Sequence, residues 1–357
     1  MKKYWSYFLS FIKKPENVFI SLSLFFGVLS AILVPQLSVS DENMHYLRAY
    51  GISQGRVESG SRCTLPKDVA KRAGSVYEGN FSSDYSKPID RSSLNIDKCS
   101  SASGYPPIMH LPQAIGIGIA SLFNGSTGLT ILFGRIANAL FYSIAIYFII
   151  KWVRVGKWAF ATIGLIPLMV HVASSLSSDC VTNVAVFTIT ALIINLFTQK
   201  DKISNKQIAT LLFIGMVLTL TKSINALLLF PLIFLPKHLF SPNKNKKIPF
   251  NIQKWIILTS IGAIAIVSIL IWQKIYGQPL LTTGAAHNPL HSNPLKFIAI
   301  LFNTYISPTI GYTDVVLRGS VGDFSSFKYH LPLFILIPLF SLLFLSLLHY
   351  NKKDQEL

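Results

Sequence analysis

A chain of 357 residues that is 51% apolar, with a mean hydropathy of +0.48, has too little polar surface to fold as a soluble globule and reads as an integral membrane protein. Its net charge of +17 and pI near 9.7 would suit a nucleic-acid binder. The lysines and arginines instead fall largely in short loops between apolar runs, so the charge reports membrane topology and contact with anionic lipid.

Residues 1 to 16 set Lys2, Lys3, Lys13 and Lys14 among aromatic and apolar residues, which places them on the cytoplasmic surface. The run from Val18 to Val34 is longer than a signal-peptide core, and no small-x-small cleavage site precedes Asp41. It reads as a retained first span that exits outward. Pro35 to Tyr50 follows at the water boundary. Read as a helix capped at Ser40, it sets Asp41, His45 and Arg48 at i, i+4 and i+7, with Glu42 three before His45. Two carboxylates, an imidazole and a guanidinium then crowd one short helix, either as a solvated face or as a site.

Residues 36 to 127 read as one long outside loop in which acids and bases nearly balance. Cys63 and Cys99 lie in it as two free thiols or as a disulfide, which would add roughly 4 kcal/mol in the chain-entropy model. Cys180 is left over, at the start of a later span. The loop ends in Tyr105-Pro106-Pro107-Ile108-Met109-His110-Leu111-Pro112, where the prolines could be plain turn punctuation. Gln113 to Phe123 is too short to span and is expected to lie in the membrane interface.

Leu129 to Ile150 predicts a second span running inward, followed by Lys151, Arg154 and Lys157. Trp158 to Val172 returns outward to Ser174-Ser-Leu-Ser-Ser-Asp179, and Val181 to Phe197 runs back in. Ile208 to Thr221 goes out, Lys222 and Ser223 turn, and Ile224 to Leu235 comes in with Pro231 inside it. After the most basic loop, Lys237 to Lys254, Trp255 to Trp272 goes out and Tyr329 to Leu348 returns. The expected fold is an all-α polytopic membrane protein of about eight transmembrane helices, one domain over residues 1–357. Its first span lies in 17–35, the outside loop in 36–127, spans two to seven in 128–273, a second outside loop in 274–328 and the last span in 329–349.

With the N-terminus inside, Arg135, Asp179 and Lys222 all fall at the outer ends of helices, on the side of Asp41 to Arg48. A charge in hydrocarbon costs roughly 2.5–3.5 kcal/mol on insertion scales, and one shared outward cavity would account for all of them. The alternatives are a snorkelling Arg135 and two charged hairpin caps. In the second outside loop, Gly311-Tyr-Thr-Asp314 and Arg318 are polar, and Phe297 to Phe302 is too short to span. Asn288, Pro289 and Pro294 argue against a metal-binding helix at His287 and His291. No phosphate-binding glycine loop, zinc motif or nucleophile elbow is present, and Gly116 and Gly118 read as ordinary small residues of a membrane helix.

Ser40-Asp-Glu-x-x-His-x-x-Arg-Ala-Tyr50 after a first span resembles the signature of an uncharacterised family of bacterial polytopic membrane proteins, which usually has proline where Ser40 stands. That family is thought to resemble the GT-C glycosyltransferases, and Tyr105-Pro-Pro, Ser177-Ser-Asp179 and Thr221-Lys-Ser223 look like its further features. The resemblance implies a GT-C-like fold that moves a sugar from a polyprenyl-phosphate donor to a cell-envelope glycan acceptor on the outer face of a bacterial inner membrane. Under it Asp41 is the base, and Glu42 either orients it or joins it in holding a divalent cation such as Mg or Mn. His45 completes the catalytic set, Arg135 and Lys222 contact the lipid phosphate, and Arg48, Tyr105, His110 and Asp179 line the substrate site. A non-enzymatic transporter or flippase, and an accessory protein of envelope polysaccharide assembly, are the alternatives.

Overall fold

The structure is a computed structural model that describes residues 10–57, 63–97, 100–240, 251–276, 299, 323–324 and 329–348. Cys99, His287, His291, Asp314 and Arg318 lie outside the described residues, as does most of the expected second outside loop.

The first helix, α1 (Pro15–Leu33), starts with proline at its first turn, where a missing N–H costs nothing. Helix α2 (Glu42–Ser53) follows, then a hairpin of β1 (Cys63–Pro66) and β2 (Leu94–Asp97) that encloses α3 (Lys67–Gly74). The strands pair antiparallel, with Cys63 opposite Asp97. Cys63 is disulfide-bonded, and Cys180 is a buried free thiol. Next come a 3-10 turn, Pro107–His110, and α4 (Leu111–Leu122), then α5 (Thr127–Trp152), whose Ser126 hydroxyl caps it by accepting from the Leu129 N–H.

Four helices are long and apolar enough to cross a membrane among the described residues: Pro15–Leu33, Thr127–Trp152, Asp179–Thr198 and Ile252–Trp272. They match the first, second, fourth and seventh expected spans. The third, expected as one run, is two short helices, α6 (Lys157–Gly164) and α7 (Pro167–Ala173). Pro167 forces the break, because it cannot donate to the preceding turn and pushes Ile166 into extended geometry, φ −52° and ψ 129°. Helices α8 (Asp179–Thr198) and α9 (Asn205–Thr221) follow; a reciprocal Ser204–Gln207 capping box opens α9. The sixth run, Ser223–Phe234, is a 3-10 helix containing Pro231. Helix α10 (Ile252–Tyr276) and, last among the described residues, α11 (Leu333–Leu348) complete the set.

Small residues decide how the bundle closes. Helix α1 turns Ser23, Gly27 and Ala31 toward α5, where the Ser23 and Ser143 hydroxyls meet at 2.7 Å, and leaves Phe25, Phe26, Ile32 and Leu33 exposed. Helix α4, expected to lie in the interface, packs one face on α5 through Gln113, Gly116 and Ile117, while Leu111, Ile115, Ile119 and Leu122 stay exposed as an apolar outer face. A side chain at Gly116 would strike the Phe133 carbonyl and bring its Cβ 2.7 Å from Ala137 Cβ, whereas a Cβ at Gly118 would meet only Ser53 at 4.0 Å. Gly116→Val is therefore expected to lower stability by about 1–3 kcal/mol and Gly118→Ala to leave it within about 0.5 kcal/mol. Thermal unfolding in detergent checks the pair, and equal melting temperatures would refute the close approach.

The ends of the helices are distinct. At one, the Asn195 side-chain oxygen accepts from the Arg154 N–H at 2.8 Å, the Ile203 N–H donates to the Leu239 carbonyl, and Lys254 Nζ donates to the Ile233 and Leu235 carbonyls at 2.6 and 2.9 Å. At the other end, α2 and α3 pack over α4 and α5 in a core of Leu37, Tyr46, Tyr50, Val69, Ile117, Ile131 and Leu176. The expected catalytic and substrate-binding residues, from Asp41 to Lys222, collect at this second end.

Candidate functional site

The segment leaving α1 turns twice through the left-handed region, at Leu37 (φ 64°) and Asp41 (φ 58°, ψ 8°). Asp41, not the expected Ser40, is the residue before α2, and in this conformation its side chain does not cap the helix. Aspartate tolerates left-handed backbone better than most residues, though at a cost of about 1–2 kcal/mol. The result is an exposed carboxylate with no side-chain hydrogen bond among the described residues.

Its neighbour is the opposite case. Glu42 is fully buried and accepts three hydrogen bonds: Arg135 Nε at 2.7 Å, an Arg135 terminal nitrogen at 2.6 Å and the Leu176 N–H at 3.1 Å. The other Arg135 donors go to backbone carbonyls at the end of α1: Val34 at 2.7 Å, Pro35 at 2.9 Å and Ala31 at 3.3 Å. A guanidinium has five N–H bonds, and all five are used. A buried arginine is thus neutralised by a bidentate carboxylate and also closes the carbonyl end of α1, where a cation is favoured. Arg135 has no donor left for a phosphate. Both Glu42 oxygens are turned to Arg135, Oε1 accepting a second bond from the Leu176 N–H, and no cluster of three or more metal-ligating side chains occurs among the described residues.

Asp179, Lys222, His45, His110 and Tyr105 lie beside Asp41 and do come together. Asp179 starts α8 and Lys222 follows the last turn of α9, positions that suit their charges. They form an ion pair at 3.0 Å, each side chain nearly half exposed. Burial alone would depress the Lys222 ammonium, but Asp179 outweighs it and raises the pKa above the ordinary lysine value. His45 Nδ1 is 2.9 Å from His110 Nε2, and the Tyr105 ring lies 6.2 Å from His45 and 6.3 Å from His110. The Asp179, Asp41 and Glu42 carboxylates and the Lys222 ammonium all act electrostatically on His45. Arg48 belongs to the scaffold, donating to the Tyr105 carbonyl at 3.3 Å, while Trp272 donates to the Gly104 carbonyl at 2.7 Å.

Two residues that sequence reasoning passed over place Asp179. Gln113 donates to the Leu176 and Ser177 carbonyls, and Asn138 to the Ser175 and Ser177 carbonyls, so the serine-rich turn before α8 is clamped from α4 and α5. Each is a lone amide inside an apolar run, a signal that a partner is required. An apolar groove of about 480 Å³ lies between α4, α5, α8 and α9, lined by Ile108, Pro112, Phe141, Val184, Phe213 and Val217.

Burial lowers the pKa of both imidazoles from the ordinary 6.5; for His110, His45 and Arg48 add to the effect, and for His45 the carboxylates partly oppose it. The unfolded chain therefore binds more protons below pH 6.5, so this stabilisation is complete above that value and is lost as pH falls through the lowered folded values. Acidification from about pH 7 to about pH 5 should reduce the melting temperature, and less so in His110→Gln. An equal pH slope in the two chains would rule the imidazoles out as the cause.

The sequence profile of a family described as "Predicted membrane protein (DUF2142)" matches residues 24–353. No curated protein and no solved structure matches the chain.

Proposed function

The chain belongs to the DUF2142 family of predicted membrane proteins, and for it we propose glycosyl transfer of the GT-C kind, from a polyprenyl-phosphate sugar to a cell-envelope glycan. The observation that carries this reading is an ionisable cluster, Asp41, His45, Tyr105, His110, Asp179 and Lys222, near an apolar groove whose lining residues Ile108 and Val181 each stand two positions from a member of the cluster, His110 and Asp179. Such a substrate is a charged head on a long hydrocarbon, and the groove accepts the isoprenoid while the cluster meets the phosphate and sugar. The basic residues at the far ends of the helices, among them Lys151, Arg154, Lys202 and Lys254, favour a cytoplasmic placement there and an outer face for the site.

In this mechanism Asp41 takes the proton of the acceptor hydroxyl as its oxygen attacks the anomeric carbon. The bond from that carbon to the phosphate oxygen breaks, and Lys222 and His45 receive the charge left on the lipid phosphate. Glu42 and Arg135, with their bonds spent on each other, leave the reacting set and hold the frame on which Asp41 stands. No step runs through a divalent cation, because the Asp41 and Glu42 pair supplies only one uncommitted carboxylate.

A lipid carrier is the second reading, favoured by the break between α6 and α7, since interrupted helices are common in carriers. Purified chain in proteoliposomes, given radiolabelled polyprenyl-phosphate sugar and envelope membranes from a host lacking the chain, separates the two. Label passing from lipid to glycan supports the transferase. Label that crosses the bilayer still attached to lipid supports the carrier and sinks the transferase.

A further inference from the structure

We propose that His110 is a positioning residue: its Nε2–H donates to His45 Nδ1 and so fixes His45 as the tautomer that presents Nε2–H to a ligand phosphate. The role given to His45 rests on the glycosyl-transfer reading above; the tautomer assignment does not.

At 2.9 Å between two ring nitrogens, one must be the donor. Two neutral arrangements exist. If His45 donated, His110 would have to carry its own proton on Nδ1. That atom is fully buried and has no hydrogen-bond partner among the described residues, so the arrangement would strand an N–H donor, the rarest of buried defects. If His110 donates, its Nδ1 keeps only a lone pair, and the stranded donor disappears.

A separate observation points the same way. Among the described residues His45 makes no hydrogen bond besides the one to His110, and its Nε2 is not fully buried, so that nitrogen keeps some exposure. The charged groups that act on the ring are Asp179 with its partner Lys222, Glu42 with its partner Arg135, and Asp41, which makes no ion pair among the described residues, so the balance is negative. An N–H facing that field is favoured over a lone pair facing it. Before ligand arrives, the carboxylate field holds the proton on Nε2, and a phosphate oxygen can then accept from it.

The consequence is a division of labour. A His45 that already carries its proton on the open nitrogen is a donor to phosphate and cannot also take the acceptor's proton, which leaves Asp41 as the base. It also explains a histidine pair that is fully inaccessible at one member: His110 touches no substrate and acts through its neighbour.

Nitrogen-15 NMR on histidine-labelled chain in nanodiscs at neutral pH reads the tautomer directly, with the His45 signals assigned by their loss in His45→Gln. The expected result is the Nε2–H pattern for His45 in the chain without ligand. A His45 signal with the proton on Nδ1 overturns the assignment, whether or not the chain transfers sugar. His110→Gln retains an N–H donor near the same place and should preserve the pattern, whereas His110→Leu should lose it. Binding of farnesyl phosphate tests the role: about tenfold weaker for His110→Leu, the scale of one hydrogen bond to a charged group, and within about threefold for His110→Gln. Equal affinities for both variants, with the expected tautomer present, would reject phosphate donation by His45 and leave the His110 to His45 bond in place.

Discussion

Glu42→Ala should cost about 3–5 kcal/mol of stability, the largest loss expected from any single change in the chain. The substitution removes both carboxylate oxygens facing Arg135 and the acceptor for the Leu176 N–H. It leaves a fully buried guanidinium held only by the Ala31, Val34 and Pro35 carbonyls, which cannot neutralise it. The turn before Asp179 loosens too, because Leu176 belongs to it. Glu42→Gln preserves the shape without the charge and should fall between the two. The combination Glu42→Ala with Arg135→Met should recover part of the loss, since removing both partners leaves no orphaned charge. Membrane abundance and thermal unfolding in detergent read all three. An Ala variant that melts with the wild type would show that the pair is not the joint between α1, α2 and α5.

Asp41→Asn is expected to do the reverse: transfer falls by about 10²–10⁴ while stability stays within about 0.5 kcal/mol. Its side chain is exposed and holds no other group in place, so losing the charge disturbs nothing structural. Asp41→Gly sharpens the test, because φ 58° is costly for aspartate and free for glycine. The glycine chain should be more stable by about 1 kcal/mol and equally inactive, the sign of strain retained for use. The measurement is label moved from polyprenyl-phosphate sugar to glycan, set beside the melting temperature of each variant. Full transfer by Asp41→Asn would remove this carboxylate from the mechanism.

Hydropathy made the long helices readable, since their apolar runs extend unbroken from Pro15, Thr127, Asp179 and Ile252. It failed where one residue outweighs a run. Trp158 to Val172 reads as one apolar run, yet the effect of Pro167 on Ile166 breaks it, and α6 ends at Gly164. The acidic stretch after α1 was found by its charges, but charge counting cannot say which carboxylate is spent. Asp41 and Glu42 are adjacent in the chain and opposite in fate. The difference lies in Arg135, about a hundred residues on, and in carbonyls from the end of α1 that carry no side-chain signal at all. Ser40 is a good capping residue by type, and the left-handed turn at Asp41 displaced it. Gln113 and Asn138 were visible as amides in apolar runs; that they hold a serine turn needed the fold.

The bonds of Arg135 also bear on how the chain is built. Synthesis delivers α1 and Glu42 well before α5, and a helix entering lipid with an arginine in its first turns would carry a penalty of roughly 2.5–3.5 kcal/mol. Here the acceptors for that arginine, Glu42 and the carbonyls at the end of α1, are already made when it arrives, so the early helix acts as the docking partner for the later one. Chains cut before Glu42, or expressed from α5 onward, would send the cation in unescorted, and biogenesis should stall at that point.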